Sequence, residues 1–341
     1  NSRRDFSRIL LRIFNAFKPP RQVYSGVWIC SPLVLPGLHK GLPLLFNKLS
    51  ISASIKLSSF FLGFVRPILW TYNPITARIL DLSQFSLKIY HAVDAVQEQP
   101  DMPFSLISNE EKRLCHQVDH VFVTSPKLKE SLEPSSRSIK YDPNAVDFDH
   151  FSQALGYESN DLPADLAKIP EPRIGFIGAI SDYKLDIEMI ASLAKSNPQM
   201  SFVFIGPTEE GESLTDLNSW SELKNIYSLG PKKYSKLPHY CSGFSCGWLP
   251  LRNNKYTESM FPMKFFEYLA SGLPVVATSI NSLTEFSSVA FLCQPTADEF
   301  SRALHLAISG KGPSLEQRLE AARNNTYTAR LRKMLVFIDQ D

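Results

Sequence analysis

The sequence of 341 residues is 44% hydrophobic and 21% charged, a composition typical of a globular protein with about two domains. A formal net charge of +2 gives no positive field over the whole molecule, so nucleic acid is not an expected partner. The 5 cysteines are scattered and form no Cys-x-x-Cys pair, which favours a reduced cytoplasmic protein over a disulfide framework or a zinc site. No apolar run reaches transmembrane length, and no secretory signal is recognisable.

The first 21 residues are basic and amphipathic. Apolar side chains recur at helical spacing between Phe6 and Phe17, and arginine or lysine fills many of the other positions. Two arrangements explain this pattern: a helix that lies on an anionic membrane surface, or a helix that packs on a sheet and exposes a basic face. We therefore expect a cytoplasmic protein, with peripheral contact at the inner face of the cell membrane left open.

Strands and helices alternate over residues 1–152, which predicts a first domain built on a parallel sheet. Helices are expected at about residues 44–64, 76–82, 108–120 and 127–132, and the predicted strands cover residues 23–31, 68–72, 87–91, 121–125 and 139–141. The third of these strands ends in His91, and Asp94 follows it, at a position where sites of open α/β sheets lie. A structural His91 and a loop-capping Asp94 explain the same residues equally well.

Glycine, proline and polar residues dominate residues 153–172, where we predict a linker. A second α/β domain follows over residues 173–312. Its predicted strands cover residues 173–180, 201–206, 225–230, 243–251, 274–278 and 289–293. Beyond it, the apolar spacing predicts one amphipathic helix over residues 315–338.

The stretch Phe261–Thr278 predicts a short helix, a sharp stop and a buried strand. A proline suits the first turn of the helix, and a glycine and a second proline end it before an apolar run. Lys264 lies in the first turn, where the helix dipole favours an anion, and Glu267 lies on the same side. The pair suits a phosphate and the vicinal hydroxyls of a ribose, but an ordinary surface ion pair has the same spacing.

Two common nucleotide-binding motifs are missing. Gly175-Phe-Ile-Gly178 does not continue as a G-x-G-x-x-G fingerprint, so a nicotinamide dehydrogenase is not favoured. The sequence also lacks a Walker A motif, so a P-loop NTPase is not predicted.

The stretch Pro262–Val276, which reads PMKFFEYLASGLPVV, resembles the donor-nucleotide signature of retaining GT-B glycosyltransferases. It is most similar to the large bacterial polysaccharide-synthesis family, of the teichuronic-acid and exopolysaccharide type. Further similar segments lie at residues 70–74, 90–94, 143–147, 174–180, 202–207 and 229–231, so the resemblance covers most of the chain from about residue 23.

The resemblance implies an α/β GT-B fold, in which two Rossmann-like parallel-sheet domains face a cleft. The family's first βα unit has no counterpart in the sequence, so we expect an incomplete N-terminal domain. Residues 313–341 would contain a C-terminal helix that packs back toward the N-terminal domain.

Carried over residue by residue, the resemblance assigns Glu267 to the ribose hydroxyls and Lys264 to the donor diphosphate, whose negative charge grows as it leaves. Gly178 would let the backbone approach the phosphates or the sugar. Asp94, or His91 beside it, would orient or deprotonate the attacking hydroxyl on the acceptor side.

Three further positions match the family's pattern less closely. In the family, an arginine and a lysine that follow the first strand of the second domain reach the diphosphate. Lys184 is the one cation of this kind here, and Arg252 is expected to assist it. The family often carries a second glutamate ahead of the ribose carboxylate, and Glu258 is the candidate for it, one position away from the usual spacing.

The function implied by the resemblance is a hexosyltransferase-type glycosyltransferase of polysaccharide or glycolipid synthesis. It would move a sugar from a nucleoside-diphosphate donor, of UDP or GDP type, to a hydroxyl of a saccharide or lipid-linked acceptor. The reaction would retain the anomeric configuration and would need neither a metal nor another cofactor. Two alternatives stay open: a non-catalytic glycosyltransferase-like binding subunit, and a GT-B sugar-nucleotide 2-epimerase.

Overall fold

The computed structural model describes residues 14–16, 18–35, 41–210 and 213–340. The chain divides into two compact units. Unit 1 comprises Asn1–Ala92, Met102–Phe122 and Leu132–Lys140, and unit 2 comprises Val93–Asp101, Val123–Ser131 and Tyr141–Asp341. The domain boundaries predicted from the sequence, and the packing of the last helix on the N-terminal domain, stay predictions.

Unit 1 contains a hairpin, a long helix and most of a four-stranded sheet in the order β3-β4-β5-β6. The strands are β1 Arg21–Tyr24, β2 Val27–Ile29, β3 Ile68–Thr71, β4 Leu87–Ala92, β5 His120–Val123 and β6 Ile139–Tyr141. The helices are α1 Gly41–Leu62, α2 Thr76–Ile79 and α3 Phe104–Gln117. Strands β3 and β4 pair in parallel, and the apolar runs of β4 and β5 are buried in the core, as a parallel sheet requires.

The predicted strand at residues 23–31 is wrong. The chain turns back at Ser25-Gly26, where Gly26 has a φ of +74°, and forms the antiparallel hairpin β1–β2. A glycine that supplies a positive φ is a common hairpin turn signal, and the apolar run around it concealed this signal.

Unit 2 is built on a six-stranded parallel sheet in the order β11-β8-β7-β12-β13-β14. Its strands, with the short pair β9–β10, are β7 Arg173–Ile177, β8 Ser201–Ile205, β9 Glu209–Glu210, β10 Ser213–Leu214, β11 Ile226–Ser228, β12 Cys246–Leu249, β13 Val275–Thr278 and β14 Phe291–Cys293. This is the 3-2-1-4-5-6 order of the doubly wound fold, with its switch point between β7 and β12. Ligands of such sheets bind beyond the carboxyl ends of the strands at that point.

The remaining helices lie wholly or mostly in unit 2: α4 Pro126–Leu132, α5 Phe148–Phe151, α6 Ala164–Ala167, α7 Ile187–Ser196, α8 Leu237–Ser242, α9 Lys255–Glu258, α10 Lys264–Ala270, α11 Ala297–Ile308, α12 Leu315–Arg323 and α13 Tyr327–Gln340. The predicted linker at residues 153–172 contains α6, whose Leu166 is fully buried. Asp165 on the same helix pairs with Lys232 at 2.7 Å. These residues are therefore packed into unit 2.

The single helix predicted over residues 315–338 is wrong, because α12 and α13 are separated at residues 324–326. At this break the Val146 backbone N–H donates to the Asn325 carbonyl oxygen at 3.0 Å, and Val146 also bridges Thr326. A tertiary contact with a distant segment thus interrupts a pattern that is helical throughout in the sequence.

Candidate functional site

Helix α10 carries the two residues that the sequence singled out, and it is fixed at both ends. The Tyr268 hydroxyl accepts a hydrogen bond from the Ile177 backbone N–H at 2.7 Å, which ties the helix to the end of β7. Gly272, with a φ of +77°, follows its last turn and lets the chain reverse into β13. Because Phe265 and Phe266 are fully buried, the helix cannot rotate without disrupting the core.

Lys264 and Glu267 form an ion pair, with Nζ 2.5 Å from Oε2. The Glu267 side chain is only 3% exposed, while that of Lys264 is 23% exposed. This geometry excludes the ordinary surface pair that the sequence left open. Burial raises the pKa of the Glu267 carboxyl, while the charges of Lys264 and His150 act in the opposite direction.

His150 and Tyr234 complete the surroundings of Glu267. The His150 ring, on α5, stacks on the Tyr234 ring with the centroids 4.7 Å apart and the planes at 20°. The imidazole Nε2 also lies 3.1 Å from the Tyr234 carbonyl oxygen. Burial and then the charge of Glu267 raise the pKa of the Tyr234 hydroxyl. Sequence reasoning missed both rings, because they come from segments far from Phe261–Thr278 in the chain.

Gly178 lies just beyond β7, against the end of β8. Its backbone N–H donates to the Ile205 carbonyl oxygen at 2.9 Å. A Cβ on the neighbouring Gly206, whose φ is +157°, would lie only 1.8 Å from the Gly178 carbonyl oxygen. The close approach of the two turns therefore requires a glycine at 206, a residue that the sequence analysis did not single out.

Lys184, Asp94 and the missed Tyr256 form a second group in unit 2. The Lys184 Nζ lies 5.1 Å from the centroid of the Tyr183 ring and 5.7 Å from that of Tyr256. Asp94 is half-buried. Burial, and then the charge of Asp94, raise the pKa of the Tyr256 hydroxyl, while Lys184 lowers it. The structure thus brings together two of the predicted site residues around one tyrosine.

Arg252 and Glu258 are both engaged with the backbone. The Arg252 Nε donates to the Leu185 carbonyl oxygen at 2.9 Å, next to the switch-point strands. A Glu258 carboxylate oxygen accepts from the Asn281 backbone N–H at 3.2 Å, at the start of a short 3-10 helix. Each residue therefore supports a loop, and its role toward a donor stays a prediction.

His91 lies in unit 1, at the end of β4, and is buried among aromatic rings. The Trp70 Nε1 donates to the His91 Nδ1 at 3.4 Å, and the Tyr72 ring stacks on the imidazole with the centroids 5.0 Å apart. An Nδ1 that accepts leaves the proton of the neutral imidazole on Nε2. This tautomer is the one in which Nε2 can donate a hydrogen bond.

Two sequence patterns look catalytic but hold structural roles. Gly243-Phe-Ser-Cys-Gly247 has the spacing of a hydrolase elbow, yet Ser245 precedes β12 instead of following it, and its hydroxyl accepts from the Arg173 backbone N–H. Asp147-Phe-Asp149 has Asp-x-Asp spacing, and Asp147 caps α5 by accepting from the His150 backbone N–H. Among the residues that the structure describes, no group of three His, Cys, Asp or Glu side chains is placed to hold a metal ion.

Comparisons with known structures identify the fold. Sucrose-phosphate synthase from Thermosynechococcus elongatus has a TM-score of 0.68 at 18% identity, over 95% of this chain and 85% of that chain. The UDP-forming trehalose-phosphate synthase from Burkholderia xenovorans has a TM-score of 0.63 at 13% identity, over 88% and 80% of the two chains. Anabaena HepE, solved with UDP-glucose, has a TM-score of 0.59 at 15% identity, over 86% and 77%.

These similarities show a GT-B-like fold, which confirms the α/β class with two Rossmann-like units that the sequence predicted. A family model matches part of the sequence. Residues 171–309 match the model of the family Glycosyl transferases group 1.

A curated relative is similar to a larger part of the chain. TuaH of Bacillus subtilis (strain 168), by name a teichuronic acid biosynthesis glycosyltransferase, is 26% identical over 221 residues. The match covers 64% of this chain and 50% of TuaH, so the chain spans about half the length of that relative.

Proposed function

We propose that this protein is a glycosyltransferase that moves a sugar from a nucleoside-diphosphate donor to a hydroxyl of a saccharide or lipid-linked acceptor. The product would belong to polysaccharide or glycolipid synthesis, and TuaH is named for teichuronic acid biosynthesis. The reaction would proceed with retention and without a metal. The observation that carries the proposal is the Lys264–Glu267 pair, with its buried carboxylate, inside the segment that matches the glycosyltransferase family.

The pair has the chemistry that a nucleoside diphosphate needs. A carboxylate beside two ribose hydroxyls accepts two hydrogen bonds, and a buried carboxylate is costly unless such donors or a cation satisfy it. The present partner of Glu267 is the Lys264 ammonium, at 2.5 Å. When the donor binds, the Lys264 Nζ turns toward the diphosphate, and the ribose hydroxyls replace it on Glu267.

The same exchange would stabilise the transition state. Negative charge grows on the diphosphate as the bond from its oxygen to the sugar breaks, and a fixed ammonium beside that oxygen lowers the barrier. Retention follows if the acceptor hydroxyl attacks on the face that the diphosphate leaves, with its proton passing to a diphosphate oxygen. No protein nucleophile is needed in that scheme.

On the acceptor side we assign Asp94 to the attacking hydroxyl, with His91 as the alternative. Asp94 is half-buried, and its charge raises the pKa of the Tyr256 hydroxyl, while that of Lys184 lowers it. A carboxylate in this position can accept a hydrogen bond from a hydroxyl and orient it. Lys184, Arg252 and Glu258 are proposed as further donor contacts, with Gly178 and its neighbour Gly206 providing close backbone approach.

The test is turnover of sugar nucleotides by the full chain. UDP-glucose is the first donor to try, because HepE, a neighbour in fold, was solved with it, and GDP-linked sugars follow. Release of UDP or GDP is measured with and without added saccharide acceptors, and α-configured product from an α-configured donor is the predicted stereochemistry. Binding of the nucleotide without any release, even as slow hydrolysis, would identify the non-catalytic binding subunit instead.

A further inference from the structure

The charges of the chain are distributed very unevenly along the sequence. Residues 1–80 contain eleven Lys or Arg and one Asp, whereas the other residues contain 25 Lys or Arg and 33 Asp or Glu. From residue 6 to residue 80 the sequence has no acidic residue at all. The small net charge of the whole molecule therefore conceals a strongly basic N-terminal segment in unit 1.

Helix α1, in the middle of this segment, turns its polar side toward the protein. Asn47 is fully buried, and its side-chain amide accepts from the Leu35 backbone N–H at 2.7 Å and donates to the Leu35 carbonyl oxygen at 2.9 Å. The Ser50 hydroxyl donates to the Leu33 carbonyl oxygen at 2.7 Å. A surface helix of a soluble protein normally has the opposite orientation, with polar residues outward.

The outward side of α1 is apolar. Leu42 and Phe60 are 81% and 79% exposed, and Phe61 is 68% exposed. Apart from Gly41, every exposed residue of α1 is apolar or lysine: Leu42, Leu45, Phe46, Lys48, Leu49, Ala53, Lys56, Leu57, Phe60 and Phe61. We call these residues the α1 face. Most of them recur at intervals of three or four along the helix, so they form one continuous stripe.

The hairpin β1–β2, which precedes α1 in the chain, adds exposed aromatic side chains to the same unit. Tyr24 is 76% exposed, and Trp28 on the opposite strand is also exposed. Tyrosine and tryptophan are the residues that prefer the boundary between lipid headgroups and acyl chains. In the described part of the chain, no helix is both long enough and apolar enough to cross a bilayer. Lys48 and Lys56 among the exposed apolar residues of α1 suit a helix that lies in the plane of a surface.

We propose that the α1 face lies flat on an anionic lipid bilayer and anchors the protein there. The leucine and phenylalanine side chains would enter the headgroup boundary, and Lys48 and Lys56 would extend their ammonium groups to lipid phosphates. The absence of any acidic residue from residue 6 to residue 80 matches an anionic surface. A protein partner fits less well, because lysine is depleted in the cores of protein interfaces.

The test is co-sedimentation of the full chain with vesicles, in the absence of nucleotide, so that its result is independent of the proposed function. Vesicles of phosphatidylglycerol and phosphatidylcholine are compared with vesicles of phosphatidylcholine alone. The wild type should pellet with the anionic vesicles at low salt. Combined Leu57→Ser, Phe60→Ser and Phe61→Ser substitutions should lower the bound fraction by about tenfold or more. Lys48→Gln with Lys56→Gln should reduce the preference for anionic lipid.

The matched control is Leu306→Ser with Leu335→Ser and Val336→Ser, three exposed apolar residues of unit 2. These substitutions should leave vesicle binding unchanged. The basic residues 1–21 are present in every variant, so the difference reports on the α1 face alone. A conservative variant, Phe61→Trp, keeps the fold and should show a blue-shifted fluorescence with anionic vesicles.

Several results would overturn the proposal. They are a wild type that stays in the supernatant, a Phe61→Trp fluorescence that vesicles do not shift, or a control that loses as much binding as the α1 variant. Sedimentation velocity tests whether a second copy of the protein covers the α1 face instead. If the wild type does not bind vesicles but forms a dimer, and the α1 substitutions dissociate that dimer, the α1 face contacts a second copy of the protein.

Discussion

Arg318 donates two hydrogen bonds to the carbonyl oxygen of Gly272, from Nε at 3.2 Å and from Nη2 at 2.9 Å. Gly272 lies two residues beyond the last residue of helix α10, so a guanidinium on α12 lies at the negative end of the helix that carries Lys264 and Glu267. Arg318 also donates to the Pro313 carbonyl oxygen. It therefore fixes the end of α10 that lies opposite the proposed donor contacts.

Replacing Arg318 should weaken both the fold and the site. Arg318→Met keeps the length of the side chain but leaves the Gly272 carbonyl oxygen without its charged donors, which should lower the free energy of unfolding by about 1–3 kcal/mol. Urea denaturation measures this loss. Arg318→Lys should restore part of it, because the charge at the helix end returns while the forked geometry does not. Equal stability of the methionine variant and the wild type would contradict the positioning role.

Gly206 should tolerate no side chain. A Cβ at this position would lie 1.8 Å from the Gly178 carbonyl oxygen, so Gly206→Ala must push the ends of β7 and β8 apart. We expect a loss of about 1–3 kcal/mol in the free energy of unfolding, together with weaker nucleotide binding. The control is Gly156→Ala, because no heavy atom lies within 4 Å of a Cβ there. If the two alanine variants have the same free energy of unfolding, the close contact at Gly206 does not affect stability.

His150 should contribute to donor binding through its ring and its charge. His150→Phe keeps the stack on Tyr234 but removes the imidazole contact with the Tyr234 carbonyl oxygen and the charge near Glu267. His150→Ala removes the stack as well. The dissociation constant for the nucleotide should rise with phenylalanine and rise further, by about 2–10-fold, with alanine. Isothermal titration calorimetry gives the three dissociation constants. An alanine variant that binds the nucleotide as tightly as the wild type would show that His150 does not contribute to donor binding.

Glu111 should make the stability of the fold depend on pH. Burial raises the pKa of its carboxyl above the ordinary value of 4.5, against the hydrogen bond from the Tyr90 hydroxyl and the charge of Lys112. The folded state therefore binds more protons than the unfolded state between the two pKa values. The contribution of Glu111 to stability is therefore greatest below about pH 4.5 and is lost as the pH rises through the raised pKa.

Glu111→Gln should remove this dependence. The difference in unfolding free energy between wild type and variant should then slope by up to about 1.4 kcal/mol per pH unit in that window and become constant above it. Urea titrations at a series of acidic pH values measure it, with the exposed Glu130→Gln as control. A difference that stays constant over the whole range would show that the carboxyl is not perturbed.

The sequence predicted the elements whose signals lie close together in the chain. Helix α10 and strand β13 are defined within Phe261–Thr278 by a proline, a glycine-proline stop and an apolar run, and the structure has both. The parallel sheets were also predicted correctly, because the alternation of strand and helix patterns is visible along the chain. The spacing of Lys264 and Glu267 placed them on one side of the helix, but it did not reveal that Glu267 is buried.

The remaining features depend on tertiary contacts, which local patterns do not encode. His150 and Tyr234 lie beside Glu267 only because their segments pack against α10 in the fold. The break between α12 and α13 follows from the contact of Val146 with Asn325. Helix α1 was predicted near its observed position, but the side that it exposes was not. That orientation depends on the hydrogen bonds that Asn47 and Ser50 donate to the Leu35 and Leu33 carbonyl oxygens.

The most direct measurement is isothermal titration of UDP and of GDP into the full chain and into Glu267→Gln. The account predicts that one of the two nucleotides binds the wild type, and that Glu267→Gln binds it about tenfold or more weakly, because a charged acceptor of the ribose hydroxyls is lost. Glu316→Gln, at a carboxylate that is 73% exposed on α12, should bind like the wild type. A wild type that binds neither nucleotide, or a Glu267→Gln variant that binds as tightly as the wild type, would contradict it.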